Sequence, residues 1–571
     1  MDPIGSKPFL DLKSCSMVPN MTTKFLLFFL LLSATVLGQD SKIIEIRKAG
    51  SSTQDELQFP GANILLRDKT TRVVLFHEGA LVESNRSLFY RAKNFFTAEG
   101  DVVFTQGDSL KMTCAYLEYD GQTKKAKAWG NVVLKRPDMS LETDTLYLDR
   151  LINKAFYNTP GKIVDEESVL TSNRGIYFLD EKKYRFISNV NIKNPEYTIK
   201  ATQLDYFTAS DRAYFYGPST ITGEEYTIFS ERGFYDTRIQ KGNFKKNATI
   251  YYDGKIIKGD SLYFENEREY AAGTNRVSIV DTLNQSIIQG HYGEIFKAKD
   301  SAIITKRALA TNIIDQDSLF IHADTLIATG PETDRILRGH YDVRIFKSDI
   351  RGKSDSVHFN ESTGRIKLLK KPFTAQEERV LTAKERNQRN PVLWFGPSQM
   401  TGDEIYLISN LTTRKLDSLK IIGDAFVIEK DSISPNGYNQ IKGGVLDGVF
   451  REGALEKINV TKNTLVVYYL YSDETQELIG INKTLCSALE MQIINNEIAD
   501  IRFYVSPSGD VFPDEEIDAN ERTLKGFIWR EKERPKSKLD LFSEADQQLQ
   551  LPKIEGIAIP EAFFDNSIIK N

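Results

Sequence analysis

The sequence predicts an all-β protein assembled from about ten repeats of roughly 30 residues, and three observations carry that expectation. The first is self-similarity: GDSLYFEN (259–266) has relatives at CAYLEYD (114–120), ETDTLYLD (142–149), ATQLDYFT (201–208), HADTLIAT (322–329) and KSDSVHFN (353–360). With the looser RGIYFLD, RGFYD and YGEIF added, the central apolar residues fall at 117, 146, 176, 204, 234, 262, 295, 326 and 357. The successive steps are 29, 30, 28, 30, 28, 33, 31 and 31. The second is alternation within a copy, Leu262 and Phe264 on one face of a strand and Ser261 and Tyr263 on the other, repeated by Leu146/Leu148 and Leu117/Tyr119. The third is punctuation: Asp120-Gly121, Asn153-Lys154, Ser210-Asp211 and Gly364 separate the strands at turn-like intervals.

Taken from the N-terminus, Lys24 precedes the apolar run FLLFFLLL (25–32), and Val36-Leu37-Gly38 leads into polar QDSK. This predicts a secretory signal peptide over residues 1–38, too short for a spanning helix. Export leaves Cys114 and Cys486, which read as buried thiols, a disulfide between them being the alternative in an oxidising compartment.

Residues 39–372 form the main repeat array, in which a second piece recurs between the markers: AWGNVVLKRPD (128–138), ISNVNIKNPE (187–196), KNATIYYDG (246–254) and GHYDVRIFKSD (339–349). Each period therefore reads as two short strands separated by turns. Residues 373–390, FTAQEERVLTAKERNQRN, lack Gly and Pro and carry mixed charge, an insertion read as a solvated loop with a short surface helix as the alternative. A second repeat-like block spans 391–507 and includes TGDEIYLI around Ile405. In the tail, 508–571, Trp529 precedes alternating Arg530, Lys532, Arg534, Lys536 and Lys538, read as solvated, with docking of a partner as the alternative.

Chemistry is searched for against this scaffold. Asp260 beside Ser261 could pass for a catalytic pair, but the same pair recurs in other copies, so Asp260 reads as the start of a strand. The five histidines, His77, His291, His322, His340 and His358, lack the spacing of a metal site, and no nucleophile elbow, phosphate loop or dinucleotide fingerprint is present. The pair GPSTITGEE (217–225) and GPSQMTGDE (396–404) reads as a repeated corner. Asp-Ser/Thr pairs ahead of aliphatic residues, as at Ser261 and Thr325, resemble an O-glycosylation pattern, but their hydroxyls fall within strands. No enzyme activity, metal or cofactor is expected. A formal charge of -5, from 74 basic and 79 acidic residues intermixed along the chain, offers no basic stripe for nucleic acid.

The repeated GNVVL and DTLYLD units, PVLWFGPSQMTGDEI (391–405), ELIGINKTLCSALEMQI (477–493) and FIWREKERPKSKLDLF (527–542) resemble OstA-like proteins of Bacteroidota over nearly the whole mature chain. That group is related to the periplasmic bridge proteins of lipopolysaccharide transport. The resemblance implies an elongated open β-jelly roll, a V-shaped stack of antiparallel strands with an apolar interior. It implies a periplasmic protein, with outer-membrane association left open, that shields the acyl chains of lipid A. Its partners would be lipopolysaccharide, other β-jelly-roll components of the bridge and the outer-membrane translocon. Strand alternation then nominates Leu117, Leu146, Leu148, Ile176, Phe178, Leu204, Leu262, Phe264 and Leu326 as ligand-facing, with Tyr147, Tyr177 and Tyr263 outward. Three other readings stay open: a structural or adhesive β-solenoid filled by its own side chains, an outer-membrane barrel, and a repeat-scaffold enzyme acting on polysaccharide.

Overall fold

Strand follows strand through nearly all of the computed structural model, which describes residues 42–282, 286–314, 317–494 and 497–558. The expected signal peptide lies outside the described residues. The chain divides into two compact units, one reaching Pro137 and including Tyr147–Leu151, the other comprising Asp138–Leu146 and everything from Ile152 onward.

In the first unit, strands Phe95–Gln106, Leu110–Asp120 and Lys125–Arg136 pair antiparallel in sequence order. Ala98, Leu117 and Ala128 lie opposite one another, none more than 2% exposed. Small residues on either side of Leu117 let it fill the space between neighbouring strands.

The second unit repeats one device. Strands such as Lys241–Tyr252, Lys255–Glu265 and Tyr270–Asp281 run straight for about half their length and then bend. At the bend of alternate strands two consecutive residues adopt left-handed backbone: Lys246 and Asn247 (φ 59° and 55° in turn give way to the same pattern at Asn275–Arg276, Lys306–Arg307 and Tyr341–Asp342). The ladder loses one register step there, between Lys245 and Ala248 for example, so each strand contributes one half to each of two facing half-sheets. Left-handed backbone costs an L-residue about 1–2 kcal/mol, least for Asn and Asp, which is why these recur at the bends. Asp260 sits opposite the Lys246–Asn247 bend, in the middle of Lys255–Glu265 and not at a strand start, where its Oδ1 accepts from Arg276 Nε (2.9 Å) and Nη2 (2.8 Å). A 29-residue period thus holds two strands, as expected, but each is longer than expected because it continues through its bend.

The bends occupy one margin of this stack and the hairpin turns form two rows at the other. Along one row successive turns are joined by single backbone hydrogen bonds: Thr208 to Lys182 (3.0 Å), Thr237 to Asp211 (2.8 Å), Asn266 to Gln240 (3.1 Å) and Lys297 to Glu269 (3.0 Å).

Residues 375–388 replace a bend with two helices, Ala375–Val380 and Ala383–Gln388, each opened by a threonine capping box (Thr374 with Glu377, Thr382 with Glu385). The expected loop is therefore helical, because a Thr-x-x-Glu start occurs twice in it. The flanking strands Arg365–Leu369 and Val392–Phe395 both pair with Ile350–Asn360, and on their other side with Glu404–Ser409 and Ser398–Thr401, so the stack runs through the insertion without interruption. The two Gly-Pro-Ser segments are out of phase: Gly217-Pro218 lies at a bend, whereas Gly396-Pro397 makes a hairpin turn and the bend falls at Gly402-Asp403.

The tail docks through part of its described length: Arg530 is buried, whereas Lys532, Lys536 and Lys538 stay exposed as expected. Residues 513–558 lie as a strap across the outer face of the second unit and travel back toward earlier strands. Trp529 and Phe527 pack on Tyr438, Leu541 and Phe542 on Leu309, Phe320 and Phe346, and Asn275 Nδ2 donates to the Pro552 carbonyl. Beneath the strap the outer-face row Phe346, Arg351, Trp394, Gln399, Ile428, Gln440 and Val467 is continuous in register. Trp394, Gln399 and Val467 are wholly buried there. Glu533 clamps the strap, accepting from Arg530 Nη2 (2.9 Å) and Lys353 Nζ (2.7 Å). Burial alone would raise its carboxyl, but these two donors outweigh burial and hold it down to about 2.

Candidate functional site

Two apolar walls face each other inside the second unit. Cross-strand partners share a face, so register alone identifies the walls. One is the row Tyr157, Gly175, Phe186, Leu204, Phe215, Gly233, Phe244, Leu262, Gly273, Gly293, Ile304, Leu326, Gly339, Val357, Leu368, Ile405, Ile421, Leu446, Val460 and Leu489. The other is a ladder made largely of isoleucine: Ile163, Leu170, Ile192, Ile199, Ile221, Ile228, Ile250, Ile257, Ile279 and Ile288 in unbroken succession. It continues through Ala310, Ile321, Ile345, Gly352, Leu393, Met400, Val427 and Ile441. The recurring NIK, TIYY and SIV segments carried this second wall in plain view, as a β-branched residue at one fixed offset from each bend.

Of the nine nominated residues, Leu204, Leu262, Phe264 and Leu326 lie on the first wall's face, at most 1% exposed. Leu117 is buried in the first unit; Leu146 is buried and Leu148 half-buried at the boundary strand Met139–Asp149. Ile176 and Phe178 require correction. Ile176 pairs with Arg185 and Arg185 with Asp205, one residue out of step with Phe186 and Leu204, so both face away from the walls. Phe178 carries Lys183 over its ring at 4.4 Å, and beside it Arg185 and Asp205 form a buried two-pronged ion pair at 2.8 Å. Tyr177 is the inward residue, stacked on Tyr184 with centroids 4.3 Å apart. The cause is glycine: Gly175 and Gly233 hold the row position that Leu holds at 204 and 262, giving steps of 29 throughout, and alignment on the first apolar residue shifted those copies by one. Tyr263 faces outward, opposite Asn243 and Ala272.

Over much of the stack the two turn rows are tied across the mouth by polar pairs. Lys297 Nζ meets Glu225 (2.5 Å), Arg335 meets Asp281, Gln240 meets Glu196, and Asn312 Nδ2 donates to Glu361 (3.2 Å). Burial raises the Glu361 carboxyl while Asn312 and Arg335 oppose the shift.

Toward the last strands the walls part. A cleft enclosing about 620 Å³ of space, the solvent at its mouth included, opens between Met400, Val427 and Ile441 on one side and Leu455, Ile458, Met491 and Ile493 on the other. Its rim carries Ser398, Glu429, Asn439 and Tyr468; Ser398 Oγ donates to Glu429 (2.6 Å), and burial, then Glu429 and Asp431, raise the Tyr468 phenol. An apolar floor with a few polar rim groups suits an aliphatic chain bearing a polar head.

Elsewhere the chemistry is that of packing. Cys114 and Cys486 are both buried free thiols, the former pushed up to about 12 by burial. Among the described residues no group of three or more His, Cys, Asp or Glu is placed to hold a metal, and no helix is long and apolar enough to cross a membrane.

Residues 41–202 match the family described as OstA-like protein. The match therefore falls on the early repeats, not on the C-terminal segments that also carry the resemblance. No curated protein matches the chain.

Proposed function

We propose, starting from the OstA-like character of residues 41–202, that this protein is a periplasmic component of lipopolysaccharide transport that shelters lipid A acyl chains between its two apolar walls. The observation that carries the reading is the cleft at Met400, Ile441, Ile458 and Met491, where the walls separate and apolar side chains line open space. Each buried methylene contributes roughly 0.8 kcal/mol, so even one chain seated there is held appreciably. Because the walls repeat strand by strand, a chain displaced by one strand exchanges one apolar contact for a similar one. Leu204, Leu262, Phe264 and Leu326, fully buried behind the polar ties across the mouth, become accessible to the lipid only where those ties open.

Among the described residues the last strands, Glu497–Tyr504 and Ser508–Phe512, each pair on one side only, and Tyr504 and Val511 are exposed. Such edges accept strand addition from other β-jelly-roll components, the partners this reading requires.

A second reading, a stack closed on its own side chains, draws on the complete burial of Leu204, Leu262 and Phe264 and on the polar ties across the mouth. Photo-crosslinking residues at 441, 491 and 420 in cells separate the two. Capture of lipopolysaccharide at 441 and 491 but not at exposed 420 supports shelter of the lipid. Absence of lipid from all three, together with a lipid-free protein by mass spectrometry after native extraction, supports the closed stack.

A further inference from the structure

A second, narrow cavity straddles the mouth of the stack well before the cleft. One turn row supplies Tyr252 and Lys255; the other supplies Ile295, Phe296, Ala302, Ala328 and Arg335. It lies between two of the polar ties, Lys297 with Glu225 and Arg335 with Asp281. Tyr252 is only 3% exposed, its ring set edge-on to Phe264 with centroids 5.6 Å apart. Its hydroxyl nevertheless has no hydrogen-bond partner among the described residues. A buried hydroxyl left unpaired is costly and rare, and in a cavity wall it marks a place where a ligand atom completes the bond.

The charges around it narrow the ligand. Lys297, Arg335 and Lys255 all reach the cavity, but each is already committed to a carboxylate, Lys255 to Asp253 at 3.1 Å. No cation is left over to recruit a phosphate or a carboxylate. Burial, with Glu269, Glu225 and Asp253 behind it, raises the Tyr252 phenol, so the group is a proton donor throughout the ordinary pH range. What fits is an uncharged acceptor oxygen joined to an apolar chain.

We propose that this cavity is a side port on the mouth of the stack, in which the Tyr252 hydroxyl donates to the ester or amide carbonyl at the head of an acyl chain while Ile295, Ala302 and Ala328 receive its first methylenes. The proposal rests on the acyl-chain reading of the cleft but assigns a separate site, with a polar contact the cleft does not provide. The flanking pairs Lys297–Glu225 and Arg335–Asp281 frame the port and limit its width along the stack.

The test uses the full chain and two probes below their micelle concentrations: sucrose monolaurate, which has an ester carbonyl, and dodecyl maltoside, which has an ether at the same place. Binding is followed by calorimetry in the parent protein, in Tyr252→Phe, and in the cleft variant Ile441→Arg. One hydrogen bond to a neutral acceptor corresponds to a two- to tenfold change, so Tyr252→Phe is expected to weaken the ester probe about two- to tenfold and to leave the ether probe unchanged. A saturable ester-probe component is expected to survive Ile441→Arg. If Tyr252→Phe changes neither probe or both alike, while Ile441→Arg abolishes binding, the port is overturned and the cleft reading stands. If neither probe binds the folded parent protein, both the port and the acyl-chain reading fall.

Discussion

Gln399 grips the backbone around Arg530 with both ends of its amide: Nε2 donates to the Ile528 carbonyl (2.8 Å) and Oε1 accepts the Arg530 N–H (2.7 Å). Gln440 repeats the arrangement upstream, donating to the Arg522 carbonyl (2.8 Å) and accepting the Leu524 N–H (2.8 Å). Both glutamines are buried, so the strap meets the sheet through two paired contacts that mimic a strand ladder. Replacing both by leucine strands four polar atoms, at about 1–3 kcal/mol for each unsatisfied group. The double variant is expected to lose amide-exchange protection across 522–530 while retaining it in Lys255–Glu265. Unchanged protection in the strap would mean that Trp529 and the Glu533 clamp hold it alone.

Strap docking is expected to weaken as pH falls just below about 6.5. His322 is wholly buried, its Nδ1 donating to the Ala308 carbonyl (2.7 Å), its ring against Phe542 and its Nε2 3.5 Å from Asp546 on the strap. Burial lowers its pKa, with the Ala308 carbonyl, Asp546 and Asp342 opposing and Arg344 assisting. A histidine depressed in the folded state binds fewer protons there than when unfolded, so stability present above the unfolded value of about 6.5 is lost on acidification through it. Asp324, raised by burial and by Asp342, acts in the opposite sense at more acid pH. Protection factors at 538–548, corrected for the pH dependence of intrinsic exchange, should fall between pH 7.5 and 5.5 in the parent protein and stay flat in His322→Phe.

Asp260 and Ser261 are expected to be dispensable and Leu262 not. The Asp260–Arg276 pair sits at the surface, with the Arg276 side chain 73% exposed, so Asp260→Asn should cost no more than about 1 kcal/mol. Ser261 Oγ donates to Asn243 Oδ1 at 3.2 Å, a side-chain bond outside both walls. Leu262→Asp places a carboxylate at a fully buried wall position and should abolish cooperative unfolding in a denaturant titration. A selective functional loss in Ser261→Ala with unchanged stability would reopen a chemical role.

Gly175→Leu restores the residue that other repeats carry, yet it should destabilise. A Cβ at 175 would come within 2.4 Å of the Tyr157 ring, whose hydroxyl is fixed by Ser172 at 2.7 Å. Overpacking of this kind costs typically 1–3 kcal/mol, readable as a lower unfolding midpoint. Tyr157→Ala in the same chain should recover part of the loss, because the leucine then occupies the vacated space.

The strand pattern was legible because the strongest copies keep a period of two across a buried face, as Leu262 and Phe264 do. Three features were not. Glycine in the wall row at 175 and 233 removed the apolar marker on which the copies are aligned, and a one-residue error reverses a strand. The bends look like turns in sequence, since Lys246-Asn247 and Tyr341-Asp342 are turn-like pairs, although the strand resumes on the next sheet. The strap was hidden because basic residues between aromatic anchors read as solvated. Its trace lay in the strands beneath it: Val392–Phe395 is apolar without alternation and Phe426 to Ile428 are all buried, as in strands covered on both faces.

A stack whose strands touch only their neighbours behaves as a one-dimensional lattice, free to fray from either end and to melt in pieces. The strap changes that connectivity. Lys245 Nζ holds the Glu555 carbonyl at 2.6 Å, and Gln440 holds Leu524, so one continuous segment spans strands far apart in the lattice. Strands between those anchors cannot separate from the stack without breaking contacts to a segment that is synthesised after all of them. The early repeats must therefore persist without the strap while the rest of the chain is made, and full cooperativity arrives only when the last described residues are in place.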